Sequence, residues 1–139
     1  IKQYIEEYPT ANQVIPFSID MGMNIQYYPP GGAYFANHCE NNGSMPSIDR
    51  HLVFMTYLND VTVDGGTYFL NQDMIVSPEK GKTLIWPSHW THYHRGIPSP
   101  TQEKYIVTGW INFIRGNDCL GFCIYKQEAL CRYLRRIWN

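Results

Sequence analysis

Short extended stretches, each followed by a strong turn signal, are the feature of this sequence that most limits what it can fold into. Clusters of Pro, Gly, Asn and Asp separate the stretches, as in Pro29-Pro30-Gly31-Gly32 and Asp64-Gly65-Gly66, and these residue types favour turns. The stretches are residues 15–19, 24–28, 52–58, 67–70, 74–76, 83–86 and 105–114. Because no helical pattern alternates with them, the sequence predicts a mainly β fold of antiparallel strands, either a sandwich or a jelly roll.

Helical patterns occur only near the two ends of the chain. Residues 1–8 allow one or two helical turns, which Pro9 would end. Residues 126–138 place Leu130 and Leu134 at helical spacing. We expect this second segment to be a packed C-terminal helix rather than a basic recognition helix, because the chain has 11 basic and 12 acidic residues.

The composition argues against nucleic acid and membrane partners. The formal net charge of −1 gives no sign of an electrostatic grip on phosphates, and the longest apolar runs are far shorter than the roughly 20 residues that span a bilayer. No signal peptide is visible, so a soluble protein is expected, with the cytoplasm slightly favoured. At 139 residues the chain is predicted to form one domain. The four cysteines and the composition leave disulfide pairing and the oligomeric state open.

A candidate metal site lies at the end of the segment YPPGGAYFANHCE. In extended backbone, residues two apart point to the same side, so His38 and Glu40 share a face and Cys39 does not. One imidazole and one carboxylate are two of the three ligands in the facial site of non-haem Fe(II) oxygenases. A His-x-Glu tripeptide alone is more often part of a surface strand without metal. A facial metal site would also need a second histidine from elsewhere in the chain. The histidines available are His51, His89, His92 and His94.

A lysine occupies an unusual position in the last predicted strand. Lys104 alternates with Ile106, Thr108 and Trp110, so all four side chains share one face. A lysine on such a face either lies at the rim with its stem along the sheet, or lies inside and needs an anion. Lys104 follows His94 by ten residues (104 − 94), and this spacing keeps the second interpretation open.

Several motifs occur here in the order found in one enzyme family. They are Tyr28, Gly32, His38, Tyr57-Leu58-Asn59, Gly65-Gly66-Thr67 with Phe69, Gly81, His94, Lys104 and Trp110. In this order the sequence resembles the 2-oxoglutarate and Fe(II)-dependent dioxygenases, most closely their prolyl 4-hydroxylase-like branch, although the Gly-Gly hairpin is one residue shorter. The resemblance covers residues 24–112. It implies a double-stranded β-helix there, with flanking helices and a C-terminal extension over residues 115–139.

The resemblance also implies which residues hold the cofactors. Fe(II) would be bound by His38, Glu40 and His94, and 2-oxoglutarate by Lys104, Tyr28, Thr108 and Tyr57. Lys104 would pair with the far carboxylate, since a buried ammonium is costly unless it is paired, whereas Tyr57 is equally well explained by sheet packing. Three protein ligands leave three positions on an octahedral iron, two for the keto acid and one for dioxygen. Ascorbate would serve as an auxiliary reductant.

The activity implied by the resemblance is hydroxylation of an unactivated C–H bond, coupled to decarboxylation of 2-oxoglutarate to succinate. A peptidyl prolyl residue is the first expected substrate. One ligand departs from the family pattern, because Glu40 stands where the family usually has Asp. The alternative from another class is therefore a non-catalytic metal-binding or interaction barrel. A nucleic-acid demethylase is disfavoured, because those relatives hold the cosubstrate with arginines after the distal histidine, where this chain has Lys104.

The remaining histidines keep more than one interpretation. His92 alternates with His94, so both could face one cleft, and His92 is either a rival metal ligand or a neighbour of the metal or substrate. The spacing to Lys104 favours His94 as the ligand. His89 and His51 are interpreted as ordinary surface or strand-end histidines.

Several large side chains are candidates for substrate contact. Arg50 is interpreted either as a cation on the substrate side or as an exposed residue at a strand start. Trp86, Trp90 and Tyr93 are expected to lie either along a peptide groove or in the core.

Overall fold

A computed structural model describes residues 1–115 of the chain. The predicted C-terminal helix over residues 126–138 and the extension that contains it lie outside the described residues. The helical turns expected near the N-terminus are present, as α1 (Lys2–Glu7) is followed by a 3-10 helix at Pro9–Asn12. Proline suits the start of a helix, because the first amide groups have no partner inside it. No helix formed by residues 1–115 has the length and apolar character that a bilayer crossing requires.

The strands form two antiparallel sheets. In chain order they are β1 (Phe17–Tyr28), β2 (Arg50–Tyr57), β3 (Thr67–Phe69), β4 (Met74–Val76), β5 (Thr83–Pro87), β6 (His94–Gly96) and β7 (Lys104–Phe113). The larger sheet has the order β1-β7-β2-β5, and the smaller sheet has the order β4-β3-β6. The chain changes sheets after β2, β4, β5 and β6, so strands distant in sequence become neighbours. The predicted jelly roll is confirmed.

The first strand is longer than the sequence indicated, because β1 joins the two strands predicted over residues 15–19 and 24–28. Its pairing with β7 is interrupted only by a bulge after Ile19. At this bulge the Asp20 carboxylate accepts a hydrogen bond from the main-chain amide of Gly22, at 3.0 Å. A β-bulge bends a strand without ending it, which explains why the glycine here does not mark a turn.

The core lies between the two sheets. It is built around Val53, Met55, Tyr57, Phe69, Trp86 and Ile106. On the larger sheet β2 pairs with β7, which places Tyr57 opposite Ile106 on the inner face. Phe69 comes from the smaller sheet, and its ring meets Trp86 edge-on at 5.4 Å between centroids. Full burial of such side chains contributes about 1.5–3 kcal/mol each, so these contacts hold the sheets together.

The two faces of β1 differ from the usual pattern of a two-layer fold. Its outward face is a row of apolar side chains that are all at least half exposed, namely Ile19, Met21, Met23, Ile25 and Tyr27. The opposite face carries Gln26 and Tyr28, which line an internal cavity. An apolar side chain normally points to the core and a polar one to solvent. The inward polar row therefore indicates a cavity that accommodates polar groups.

The turn before β3 requires glycine at two successive positions. Gly65 has a φ of +75°, in the left-handed region that favours glycine. At Gly66 an added Cβ would lie 2.7 Å from the carbonyl oxygen of Val76, so no side chain fits there without moving β4. This tight turn lies directly beside Lys104, whose Nζ donates to the Gly65 carbonyl at 2.6 Å.

Candidate metal centre

The main chain holds His38 and His94 side by side. His94 begins β6, and His38 lies in the irregular segment after β1. The two residues form an isolated antiparallel bridge, in which each amide donates to the other residue's carbonyl, at 3.0 and 2.9 Å. The two imidazole centroids lie 4.3 Å apart. The proximity of these histidines is thus set by backbone pairing and does not rely on long side chains.

Each of the two imidazoles has one nitrogen bonded to a main-chain carbonyl. Nδ1 of His38 lies 3.0 Å from the carbonyl oxygen of Ala36, and Nδ1 of His94 lies 2.9 Å from that of His92. A carbonyl can only accept, so each Nδ1 carries the hydrogen, and Nε2 keeps its lone pair when the ring is neutral. Metal-binding histidines commonly have this arrangement, which fixes both the tautomer and the ring orientation.

Glu40 joins these histidines in one cluster. Its Oε1 lies 3.2 Å from Nε2 of His38 and 3.8 Å from Nε2 of His94, and the three candidate ligand atoms all lie within 4.8 Å of one another. Ligand atoms bound at about 2.0–2.2 Å from one ion are about 3 Å apart when they occupy adjacent positions. Two imidazoles and one carboxylate are also the donor set of a facial non-haem Fe(II) site. The residues present therefore fit such an ion.

The second carboxylate oxygen of Glu40 faces different partners. Oε2 accepts hydrogen bonds from the indole N–H of Trp110 at 2.8 Å and from Nη1 of Arg50 at 3.2 Å. The guanidinium of Arg50 also lies 3.9 Å from the ring centroid of Trp110. Arg50 is thus not an exposed strand-start residue, and its contact with a candidate metal ligand was not predicted. Residue spacing carries no signal for this contact, because it depends on how the segment before β2 folds back.

The pKa values of the three cluster residues are shifted by burial and by their mutual contacts. Burial alone would raise the pKa of Glu40, but hydrogen bonds from His38 and Trp110 hold it below its usual value. Burial lowers the pKa of His94. Burial would also lower the pKa of His38, but its hydrogen bonds to Glu40 and to main-chain groups, together with the charge of Glu40, raise it. Near pH 7 Glu40 is therefore ionised and His94 neutral, the states that bind a metal, and His38 must be in its deprotonated state to bind one.

One cavity of about 230 Å³ is lined by both the histidine-glutamate cluster and Lys104. Its lining residues are Gln26, Tyr28, Tyr34, His38, Glu40, Met55, Tyr57, Thr67, Trp86, His94, Gly96, Lys104, Ile106, Thr108 and Trp110. Every second residue of β7 from Lys104 to Trp110 belongs to this set, as their alternation indicated. All the residues predicted to bind iron or cosubstrate therefore line one cavity.

Lys104 lies inside this cavity and not at its rim. It is only 4% exposed, and its ammonium donates to the carbonyls of Gly65 at 2.6 Å and Ile97 at 3.2 Å. Within residues 1–115, no carboxylate forms an ion pair with it. Burial lowers the pKa of Lys104 from 10.5 to about 8. A buried ammonium with a free hydrogen and no counter-ion is a suitable binding site for an anionic ligand.

The hydroxyl groups near Lys104 differ in how they are engaged. Tyr28 donates to the side-chain oxygen of Gln26, and burial raises its pKa. Tyr57 is completely buried, and its hydroxyl is paired with that of Thr67 at 2.7 Å. Thr108 is buried in the wall of the cavity. The packing interpretation of Tyr57 therefore has direct structural support, whereas Tyr28 has a polar neighbour that a ligand could replace.

His92 lies apart from the cluster. Residues Trp90–His92 form a 3-10 helix, so the alternation expected for His92 and His94 is interrupted. The ring of His92 lines a separate groove, and its Nδ1 lies 3.0 Å from the hydroxyl of Thr91. His51 does not belong to the cluster either. Its Nε2 lies 2.8 Å from a main-chain carbonyl of the N-terminal 3-10 helix.

The three aromatic residues considered for a peptide groove divide into two groups. Trp86 is 4% exposed and belongs to the core. Trp90 is 70% exposed, and with Tyr93 and His89 it lines a shallow groove beside Cys39. Only Trp90 and Tyr93 are thus placed where a peptide could reach them.

Comparison with known families identifies the fold. A family model described as the 2OG-Fe(II) oxygenase superfamily matches residues 23–112. The chain belongs to this superfamily. The family predicted from the motifs is therefore confirmed, and the matched residues of the oxygenase include every predicted site residue.

Two curated relatives of this oxygenase are hydroxylases by name. The human multifunctional procollagen lysine hydroxylase and glycosyltransferase LH3 is 39% identical over 76 residues, which are 48% of this chain and 10% of the relative. A putative prolyl 4-hydroxylase of Acanthamoeba polyphaga mimivirus is 26% identical over 112 residues, which are 69% of this chain and 46% of the relative. The chain thus spans about a tenth of the first relative and less than half of the second.

Solved structures share the fold of this oxygenase. The viral collagen prolyl hydroxylase of Paramecium Bursaria Chlorella virus-1, solved in a 2OG complex, has a TM-score of 0.60 at 22% identity and covers 82% of this chain and 70% of its own. A prolyl-4-hydroxylase of Pseudomonas putida has a TM-score of 0.55 at 24% identity, with coverage of 66% and 51%. At these identities the likeness establishes the common jelly roll.

Proposed function

We propose that this chain is a 2-oxoglutarate- and Fe(II)-dependent dioxygenase that hydroxylates an unactivated C–H bond of a peptidyl side chain. The observation that carries the proposal is a single cavity lined both by the cluster of His38, Glu40 and His94 and by the buried Lys104, which forms no ion pair within residues 1–115. A facial metal site needs the first set, and a dicarboxylate cosubstrate needs a cation such as the second. Superfamily membership supports the same function.

In this proposal His38 and His94 would hold Fe(II) through Nε2, and Glu40 would hold it through Oε1. Three protein ligands would leave room at the ion for the keto acid and dioxygen. Bound Fe(II) supplies the redox chemistry: 2-oxoglutarate loses carbon dioxide and becomes succinate, while one oxygen atom of dioxygen enters the substrate C–H bond and the other enters succinate. The main-chain carbonyls bonded to both Nδ1 atoms would keep the imidazoles in the ligating tautomer.

Lys104 would bind the carboxylate of 2-oxoglutarate that is farther from the keto group. Two of its three ammonium hydrogens are directed to carbonyl oxygens, so one remains for a charge-assisted bond to the cosubstrate. Tyr28 and Thr108 would add hydroxyl groups to the same carboxylate. Tyr57 would support this wall from within the core, because its hydroxyl is already paired with Thr67.

Peptidyl proline is the first substrate that we propose, because the mimivirus relative and the chlorella virus structure are both named as prolyl hydroxylases. Peptidyl lysine is the second candidate, favoured by the 39% identity to a procollagen lysine hydroxylase over 76 residues. The exposed ring of Trp90 and the neighbouring Tyr93 would provide apolar contacts for either peptide.

A peptide panel tests the activity and the substrate together. The chain is incubated with Fe(II), 2-oxoglutarate, ascorbate and dioxygen, and with proline-rich and lysine-containing peptides. We expect succinate, together with the mass gain of one oxygen atom in the same peptide. His94→Ala should abolish both signals. His92→Ala is the matched control and should retain them, because the bond from His94 uses the His92 main chain. A chain that binds Fe(II) but forms no succinate with any peptide would contradict the proposal and favour the non-catalytic barrel.

A further inference from the structure

We infer that Arg50 and Trp110 are positioning residues that hold Glu40 so that only one of its oxygens faces the metal position. This inference rests on the proposed function, because it assumes that the cluster binds a divalent ion. It goes further by explaining how a glutamate can serve where the family usually has an aspartate. Neither residue contacts an imidazole nitrogen of the cluster, so both act through Glu40.

A glutamate creates a specific geometric problem in a facial site. Its side chain is longer than that of aspartate by one carbon–carbon bond, about 1.5 Å, and has one more rotatable bond. An unrestrained carboxylate on such a chain can turn away from the ion or bind it through both oxygens. Binding through both oxygens would remove one of the three positions that the facial site leaves open. The extra freedom must therefore be restricted by neighbouring groups.

The contacts of Glu40 provide this restriction. Oε2 accepts the indole N–H of Trp110 at 2.8 Å and Nη1 of Arg50 at 3.2 Å, whereas Oε1 faces the two histidines. The Glu40 side chain is only 12% exposed, so water competes little for these bonds. Hydrogen bonds to an ionised group are roughly twice as strong as neutral ones. With Oε2 occupied by two donors, Oε1 is the oxygen left for the ion.

Arg50 is itself held in place, which makes it an effective support. Its guanidinium stacks on Trp110 at 3.9 Å from the ring centroid, and its Nη1 also donates to the main-chain carbonyl of Glu40 at 2.9 Å. The Arg50 main-chain carbonyl accepts bonds from Ser88 at 2.6 Å and Asn41 at 2.9 Å. The guanidinium of Arg50 thus donates hydrogen bonds to both the main-chain carbonyl and the carboxylate of Glu40. A lysine could not reproduce this, since it lacks the planar group that stacks.

A pair of double-mutant cycles on the full chain tests the inference, with Co(II) as the probe. The first cycle combines Trp110→Phe with Glu40→Asp. Phenylalanine keeps a ring under Arg50 but removes the N–H, and aspartate is too short to keep both the metal position and the bond to Trp110. The matched cycle combines Tyr68→Phe with Glu40→Asp. Tyr68 lies on β3 and its hydroxyl donates to the Asp73 carboxylate at 3.0 Å, so this substitution also removes a hydrogen bond to a carboxylate, but outside the cavity.

We expect Trp110→Phe to weaken Co(II) binding by about 10- to 100-fold, the usual effect of removing a partner of a metal ligand. Adding Glu40→Asp should then have little further effect, because both changes remove the same contact. The Tyr68 cycle should be additive. The visible absorption of bound Co(II) is the second readout, since it depends on the number of ligands. Trp110→Phe and Arg50→Lys should both change this spectrum, and Tyr68→Phe should not.

The outcomes separate this inference from the proposed function. If the unmodified chain does not bind Co(II), the metal centre and the inference both fail. If it binds Co(II), but the Trp110 cycle is as additive as the Tyr68 cycle or the spectrum of Trp110→Phe is unchanged, only the positioning role is wrong. Circular dichroism of each variant shows whether a loss of binding reflects a loss of folding.

Discussion

Replacing Lys104 with methionine should weaken 2-oxoglutarate binding by about 300-fold. Burial lowers the pKa of Lys104 from 10.5 to about 8, a difference of about 2.5. If the bound carboxylate of 2-oxoglutarate restores the ordinary pKa of Lys104, the protonated lysine binds 2-oxoglutarate more tightly than a neutral side chain does. The ratio of the two affinities is ten raised to the pKa difference of about 2.5. This is about 300-fold, or about 3.4 kcal/mol at 1.36 kcal/mol for each pKa unit. Methionine is a neutral side chain of similar length and provides this comparison.

The assay is isothermal titration of the Mn(II)-loaded chain, which binds the cosubstrate without turnover. Pyruvate serves as the control ligand, because it has the keto acid end of 2-oxoglutarate but lacks the far carboxylate. Its affinity should be the same in the unmodified chain and in Lys104→Met. Lys82→Met is the control variant, since Lys82 pairs with Glu79 outside the cavity.

The pH dependence has a definite sign. Below pH about 8 the ammonium of Lys104 is already charged, so 2-oxoglutarate affinity should not change with pH on account of this group. Above that pH, binding must take up a proton, and the affinity should fall by up to about tenfold for each pH unit. In Lys104→Met, the affinity for 2-oxoglutarate relative to the affinity for pyruvate should show no such fall.

Two results would refute the role assigned to Lys104. One is an unchanged affinity of Lys104→Met for 2-oxoglutarate. The other is an equal loss of affinity for pyruvate and 2-oxoglutarate, which would mean that the substitution damages the metal end of the cavity and not the carboxylate site.

Three further predictions concern stability. Gly66→Ala should destabilise the fold by about 1–3 kcal/mol, because its Cβ would lie 2.7 Å from a main-chain oxygen. Gly22→Ala is the control and should not destabilise the fold, since its Cβ would have its nearest neighbour at 3.6 Å. Equal chemical denaturation midpoints for the two variants would contradict this prediction. Tyr57→Phe should lower the free energy of unfolding by about 0.5–1.5 kcal/mol in the same measurement, because the buried Thr67 hydroxyl loses its hydrogen-bond partner. An unchanged free energy of unfolding would contradict this role of the Tyr57 hydroxyl. Mn(II) at a fixed concentration, about 100 times its Kd at neutral pH, should stabilise the chain by about 2.7 kcal/mol. This gain should shrink as the pH falls through the raised pKa of His38, because a protonated imidazole cannot bind metal. A gain independent of pH would exclude His38 as a ligand.

The sequence predicted those features that depend on alternation within one strand. The shared face of Lys104, Ile106, Thr108 and Trp110 follows from the two-residue period of a strand, and all four residues do line the cavity. Turn residues likewise located most strand ends, because Pro and Gly restrict the backbone locally. These properties are encoded by neighbours in the chain and can be read without knowing the fold.

Features that depend on contacts between distant segments were not predictable in this way. The strand β6 has only three residues, too few for a pattern, and it exists because it pairs with β3. The bridge between His38 and His94 joins an irregular segment to the first residue of β6 through main-chain bonds, which any residue types can form. The contact of Arg50 with Glu40 similarly depends on a flexible side chain and a folded loop.

The two parts of the cavity are built on different supports, and this explains where a change of ligand can be tolerated. Lys104, Thr108 and Trp110 lie on β7, which is paired on both sides by β1 and β2, so their positions are fixed by continuous hydrogen bonding. Glu40 lies in the irregular segment between β1 and β2, so its backbone position is not fixed by the register of a sheet. Trp110 bonds to Glu40 from the fixed strand. The carboxylate is therefore positioned relative to the same strand that carries Lys104, so the proposed metal and cosubstrate sites share one rigid reference.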